Sequence, residues 1–270
     1  MIKKILQKNL HLVKNEIMTT PSFFHINKYE NQRDLENHKF LKKNGYLPLG
    51  KIIKDETIEI INNKITEKIN SNKASYLEKQ KIWKISFLDD FENHLQEIID
   101  ISTIHLISNY FKRNFYLSDV DIRKVLPAKF EDISNMGKSN SDWHKDVRGR
   151  QLKIMIYLSN VGQKDSFFSF IPRTHIKRTY DFNKSRFEPN KVNLKNEKKW
   201  FDLKGYAMIF DTNITHRLNR QVTSSLRNSL TLYFTPGQSL RKIFSGNYNN
   251  LNSGFFKKIT EKNSFFEKRS

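Results

Sequence analysis

The chain reads as a mostly β protein with flanking helices, its strands curling as a β-sandwich into a jelly roll. Three observations point there. Short segments of strand character lie at 120–126, 151–158, 166–171, 205–210 and 226–234. Long insertions separate several of them, and helical periodicity is confined to the first half of the chain. A length of 270 residues fits one domain, because β barrels with helical additions commonly reach that size.

Residues 1–38 are polar and mixed, an arm or helix packed on the outside. A strand at 45–49 precedes a helix over 55–70, where Ile58, Ile61, Ile65 and Ile69 form one apolar stripe. The pattern of Leu95, Ile98, Ile99, Ile104, Leu106 and Ile107 predicts a second helix over 90–112. Gly162-Gln163-Lys164-Asp165 supplies turn chemistry between two core strands. The clearest strand is the last. Leu226, Asn228, Leu230, Leu232 and Phe234 alternate with Arg227, Ser229, Thr231 and Tyr233, one apolar face against one polar face. The expected division is a supporting region over 1–118, a jelly-roll core over 119–236 and a basic segment over 237–270. That last segment carries two Phe pairs and either caps the barrel or is partly disordered.

Composition bounds the chemistry. The chain is 37% apolar and 13% aromatic, which suits a globular core, and it has no cysteine. A disulfide framework and a thiolate metal site are both excluded. The N-terminus begins like a signal peptide, but Lys8, His11 and Lys14 interrupt the apolar run. The apolar stretch 101–111 is too short to span a bilayer. We expect no transmembrane segment and a cytoplasmic location. The formal charge of +20 fits either an acidic partner or simply solvated lysine-rich faces. Between Arg173 and Lys199, nine basic residues face three acidic ones.

Trp143-His144-Lys145-Asp146 carries the strongest functional signal. On an extended chain His144 and Asp146 project from one face while Lys145 points away. With a distant His216 they make two imidazoles and one carboxylate, a set that holds Fe(II) on one side and leaves the other positions open. His216 is expected to end an extension of the 205–211 strand, with 217–225 as the connection. Arg227 lies eleven residues beyond His216, and Arg227 and Ser229 share a strand face. A planar guanidinium beside a hydroxyl suits bidentate capture of a carboxylate. Iron plus a buried carboxylate anchor implies a keto acid held at both ends.

In this order, His-x-Asp, a distal His and an Arg eleven residues later, the chain resembles the Fe(II)/2-oxoglutarate oxygenases, most closely the phytanoyl-CoA dioxygenase family. The segment from Phe40 to Leu49 with its following helix is similar to that family's opening. Phe170-Ile171-Pro172-Arg173-Thr174-His175 stands where the family has a Pro-Gly-Ser-His turn, with Arg173 and Thr174 departing from it. Lys204-Gly205-Tyr206-Ala207-Met208-Ile209-Phe210-Asp211 looks like the strand leading to the distal His. The resemblance spans roughly 40–236. It implies a double-stranded β-helix (cupin-like) core, Fe(II) on His144, Asp146 and His216, and 2-oxoglutarate on Arg227 and Ser229. The implied reaction is hydroxylation of a small, CoA-linked or carrier-linked substrate with release of succinate and CO2, with no side chain acting as acid or base. The carboxylate of Asp146 argues for hydroxylation, or a related desaturation or ring-forming outcome, and against halogenation, which needs that position emptied.

Other residues are read more simply. Trp143 packs beside the metal, and His175 belongs to a structural turn. His105 sits in the core or a groove, while His11, His25, His38 and His94 carry no spacing signal. Arg123 or Lys124 reaches the keto-acid carboxylate next to the metal, with parity leaving the choice open. Two other functions stay in view. Demethylases of alkylated nucleic-acid bases share the iron site, but Tyr233 stands where they have a second Arg. A cupin-like binding protein without turnover would not need an intact ligand set.

Overall fold

The computed structural model describes residues 29–85, 94, 97–112, 115–134, 141–146, 150–176, 186–187 and 192–236. In chain order its elements are α1 (Gln32–Asn44), β1 (Tyr46–Lys51), α2 (Asp55–Asn70), β2 (Ser75–Leu77), β3 (Ile82–Ile85), α3 (Ile101–Phe111), β4 (Phe115–Val125) and α4 (Phe130–Ser134). Then come β5 (Trp143–His144), β6 (Leu152–Tyr157), β7 (Phe167–Ile171), β8 (Arg186–Phe187), β9 (Lys198–Trp200), β10 (Tyr206–Asp211), β11 (Thr215–Asn219) and β12 (Arg227–Pro236). The strands form a seven-stranded sheet, β1-β10-β6-β12-β4-β3-β2, and a five-stranded sheet, β8-β5-β11-β7-β9. All ladders are antiparallel. This is the expected double-stranded β-helix core with helices on one side.

The period of two in the long strands decides what lies on each side of the large sheet. Ile154 and Ile156 of β6, Ile209 of β10, Val120 and Ile122 of β4, and Leu230, Leu232 and Phe234 of β12 face the helices. There they join Leu41, Ile58, Ile61, Ile65, Ile104, Ile107 and Phe111 in one buried cluster. The alternate residues face the small sheet. Met155, Tyr157, Met208 and Phe210 meet Phe168, Phe170 and Trp200 there in a second cluster. Asn62 of α2 ties the layers together, donating to Leu158 O and accepting from the Asn228 side chain.

Several sequence expectations need correction. The helix expected over 90–112 is interrupted: residues 94, 97 and 98 are helical, 99–100 are not, and a new helix starts at Ile101, where the Asp100 side chain accepts from Thr103 N. Residues 90–93 and 95–96 of that region lie outside the described residues, as do 1–28, 237–270 and the basic positions Lys177, Arg178, Lys184 and Lys191. The first helix runs to Asn44, past the boundary placed at residue 38. β4 starts at Phe115, five residues early, and the β2–β3 hairpin was not foreseen. His216 does not extend the 205–211 strand. The chain turns at residues 212–214 and crosses to the other sheet, where His216 lies on a separate strand, β11. Among the described residues no helix is long and apolar enough to cross a membrane.

One glycine locks the opening of the core. Gly45 ends α1 in the left-handed region (φ 80°), and its N–H bonds to Leu41 O. A Cβ there would run into the His175 ring, whose Nε2 donates to Lys42 O at 3.0 Å. Thus His175 clamps α1 to the turn after β7, as its structural reading expected. Gly45→Ala should cost about 2–4 kcal/mol through backbone strain and overpacking. In a His175→Ala background the same change should cost only about 1 kcal/mol. Urea unfolding of the four proteins checks this; equal costs in both backgrounds would rule out the contact.

Candidate metal centre

β5 and β11 are neighbours, and His144 is the direct register partner of His216. Their side chains therefore leave the small sheet on one face, with ring centroids 4.3 Å apart. Asp146, two residues beyond His144, is fixed by its N–H to Thr212 O at 2.9 Å. The three side chains offer ligand atoms within 4.8 Å of one another. Asp146 Oδ1 stands 3.6 Å from His144 Nε2 and 3.9 Å from His216 Nε2.

Both imidazoles are set for ligation. Nδ1 of His144 meets Asp142 O at 2.7 Å, and Nδ1 of His216 meets Ile214 O at 2.8 Å. A carbonyl only accepts, so each Nδ1 carries the proton and each Nε2 turns a bare lone pair to the centre. Burial, with the adjacent His144, pushes the His216 pKa down to about 3, so the ring is neutral. Phe168 and Phe210 flank that ring. For Asp146 burial opposes ionisation, but the Lys153 ammonium beside it outweighs this and holds the carboxyl below the usual range. Two neutral nitrogens and one carboxylate oxygen on one side fit a divalent transition metal.

A cavity of about 100 Å³ opens in front of this cluster, lined by residues of both sheets. The polar face of β12 contributes Arg227, Ser229, Thr231 and Tyr233 to it. Arg227 is 5% exposed, bonds Met155 Sδ through Nη2 at 3.4 Å, and leaves Nε without a partner. Among the described residues no carboxylate meets it. Its guanidinium lies 5.2 Å from the Tyr157 ring centre. Tyr157 stacks on Trp200 and donates its hydroxyl to Trp200 O. Burial pushes that phenol up to about 12, so it stays protonated.

Of Arg123 and Lys124, the structure turns Arg123 into the cavity lining. It is paired with buried Asp121 through Nε at 2.8 Å and Nη2 at 2.7 Å, and Tyr233 donates its hydroxyl to the same carboxylate. Trp143 is fully buried under Arg217 and does not line the cavity, which agrees with a packing role. Lys145 points away from the cavity as expected, its Nζ donating to Thr174 O. Sequence reasoning missed Lys153. It sits on β6, lines the cavity and holds Asp146 Oδ2 at 2.5 Å. The available signal was its alternation with Leu152, Ile154 and Ile156.

No family model matches the sequence, and no curated protein matches it. Solved structures do share the fold. HygX from Streptomyces hygroscopicus, with nickel, 2-oxoglutarate and hygromycin B bound, aligns with a TM-score of 0.52 at 10% identity, over 74% of this chain and 86% of that one. The non-heme α-ketoglutarate-dependent epimerase SnoN from nogalamycin biosynthesis aligns at 0.54 and 10%, over 82% and 94%. AviO1 from Streptomyces viridochromogenes Tue57 aligns at 0.53 and 10%, over 77% and 96%. At such identity the likeness is one of fold.

The His216 environment generates a pH prediction for the metal-free protein. Its pKa falls from 6.5 to about 3 on folding, so over that interval the unfolded chain binds the extra proton. Stability therefore falls as pH drops below about 6.5, by up to about 1.4 kcal/mol per unit from this group. Between pH 7 and pH 5, His216→Gln should lose about 2 kcal/mol less than the parent. Urea midpoints at the two pH values measure it, and parallel losses would contradict the neutral buried ring.

Proposed function

We propose that the chain is an Fe(II)- and 2-oxoglutarate-dependent dioxygenase of the phytanoyl-CoA dioxygenase type, working in the cytoplasm. It would hydroxylate a small or carrier-linked anionic substrate and release succinate and CO2. The observation that carries this is Arg227. A buried guanidinium without an acidic partner costs free energy unless an anion meets it, and it opens into the cavity that the His144–Asp146–His216 cluster faces. A molecule with a carboxylate at one end and a chelating keto acid at the other satisfies both. That HygX binds 2-oxoglutarate on the same fold, and that SnoN is α-ketoglutarate-dependent, supports the choice.

In this reading His144, Asp146 and His216 hold the iron, which when bound supplies the activation of dioxygen. Arg227 receives the distal carboxylate in a paired bond, and Ser229, two residues along the same face, adds a hydroxyl beside it. Tyr157 and Met155 wall that end off from water, so the ion pair forms in a poorly screening environment. Arg123, held in place by Asp121, turns its positive charge to the cavity. The lining favours anions, which is the ground for an anionic substrate alongside the basic stretch 173–199.

Anaerobic addition of Fe(II) and 2-oxoglutarate should give a weak visible metal-to-keto-acid charge-transfer band, and air should then yield succinate. His144→Ala, Asp146→Ala and His216→Ala should each abolish both while the far-ultraviolet circular dichroism stays unchanged. Wild-type protein with neither signal would end the assignment. Arg227→Ala should weaken 2-oxoglutarate binding by about 2–5 kcal/mol. Arg227→Lys should recover part of it, because a point charge cannot make the paired bonds. Unchanged 2-oxoglutarate affinity in Arg227→Ala would move the carboxylate anchor elsewhere.

A further inference from the structure

The two oxygens of Asp146 are treated differently by their surroundings. Oδ1 faces Nε2 of both histidines, at 3.6 and 3.9 Å. Oδ2 is turned away from them and taken by Lys153 Nζ at 2.5 Å. Lys153 is itself confined. Its side chain is 12% exposed, its β6 position is hydrogen-bonded between β10 and β12, and Nζ lies 4.6 Å from the Tyr233 ring centre. Asp121, the carboxylate that meets the neighbouring cavity residues Arg123 and Tyr233, is already engaged by both of them. Lys153 therefore has one place to go, and Asp146 has one oxygen left.

We propose that Lys153 is a positioning residue that confines Asp146 to ligation through Oδ1 alone. A carboxylate beside a divalent ion can close on it with one oxygen or with both. With two imidazoles, one-oxygen ligation uses three positions of a six-coordinate ion; two-oxygen ligation uses four. A chelating keto acid needs two positions and dioxygen a third, so the second mode leaves the site one short. The Lys153 ammonium occupies the oxygen that would make the difference. This rests on the iron and 2-oxoglutarate reading above, and it adds what that reading lacks: a reason for a buried lysine beside a cation site. A lysine there also weakens the metal by repulsion, so its presence is a cost that metal affinity alone would not retain.

Lys153→Met, of similar length and no charge, and Lys153→Arg test this. The protein is loaded anaerobically with Co(II), whose visible absorption reports coordination number without any keto acid, and separately with Fe(II) and 2-oxoglutarate. Mn(II) titration calorimetry gives metal affinity, and thermal unfolding checks the fold. Lys153→Met should bind metal as tightly as the parent or more so, show an altered Co(II) spectrum, and need about tenfold or more 2-oxoglutarate to develop the charge-transfer band. Lys153→Arg, which keeps a charged donor, should restore the band. A Lys153→Met protein with the parent's Co(II) spectrum and keto-acid requirement overturns the proposal. So does one in which metal affinity, keto-acid affinity and melting temperature all fall together, which is the mark of a structural role. Absence of the band in the parent would sink the 2-oxoglutarate reading instead, and the Co(II) comparison would still decide the role of Lys153.

Discussion

The cross-strand pairing of His144 with His216 is the constraint on which the metal-ligand cluster depends. It joins a two-residue strand to one that arrives about seventy residues later, and β11 must at the same time pair with β7 on its other side. Strand register is all-or-none in its effect, because a slip of one residue sends every side chain to the opposite face. A slipped β11 would point Arg217 at the cavity and His216 at Trp143. The β11–β7 ladder, five residue pairs long, is what holds the register, and the aromatic layer of Phe168 and Phe210 packs around the ring it delivers.

Burying charge between two sheets is the second half of the arrangement. Arg123, Lys153 and Arg227 all rise from the large sheet into the same space, where ions are poorly screened. Two of them are matched internally: Arg123 by Asp121 and Lys153 by Asp146. The third is not. Helix packing on the far side makes this tolerable, since the isoleucine-rich layer against α2 and α3 stabilises the same strands that carry the charges. The apolar face of each strand anchors the polar face. A loop could not have held three cations at fixed spacing.

How much of this was legible in the sequence varies with range. The β12 alternation was readable because apolar and polar residues change places along it with only Asn228 out of pattern, and the structure puts Leu230, Leu232 and Phe234 on one side and Arg227, Ser229, Thr231 and Tyr233 on the other. The α2 stripe was readable for the same local reason. What lay beyond reach was set by distant partners. Nothing near His216 announces that residues 212–214 carry the chain from one sheet to the other. Lys153 is one of 48 basic residues, and only its place in β6 separates it from a surface lysine. The choice between Arg123 and Lys124 needed the strand's orientation, which a single strand cannot supply. Asp100 as a helix start was available locally, but an unbroken apolar pattern on both sides concealed it.

The ends of the large sheet have a consequence for how copies of the chain behave at high concentration. One edge strand, β1, contains Pro48, which has no amide hydrogen to offer, and its pairing with β10 shifts register between Pro48 and Gly50. The other, β2, is three residues long. A sheet polymerises when a neighbour finds a long, flat row of open backbone groups. Here one edge is kinked and missing a donor, and the other gives out after a single turn of pleat. Among the described residues neither end of this sheet offers such a row, which disfavours edge-to-edge zipping through it.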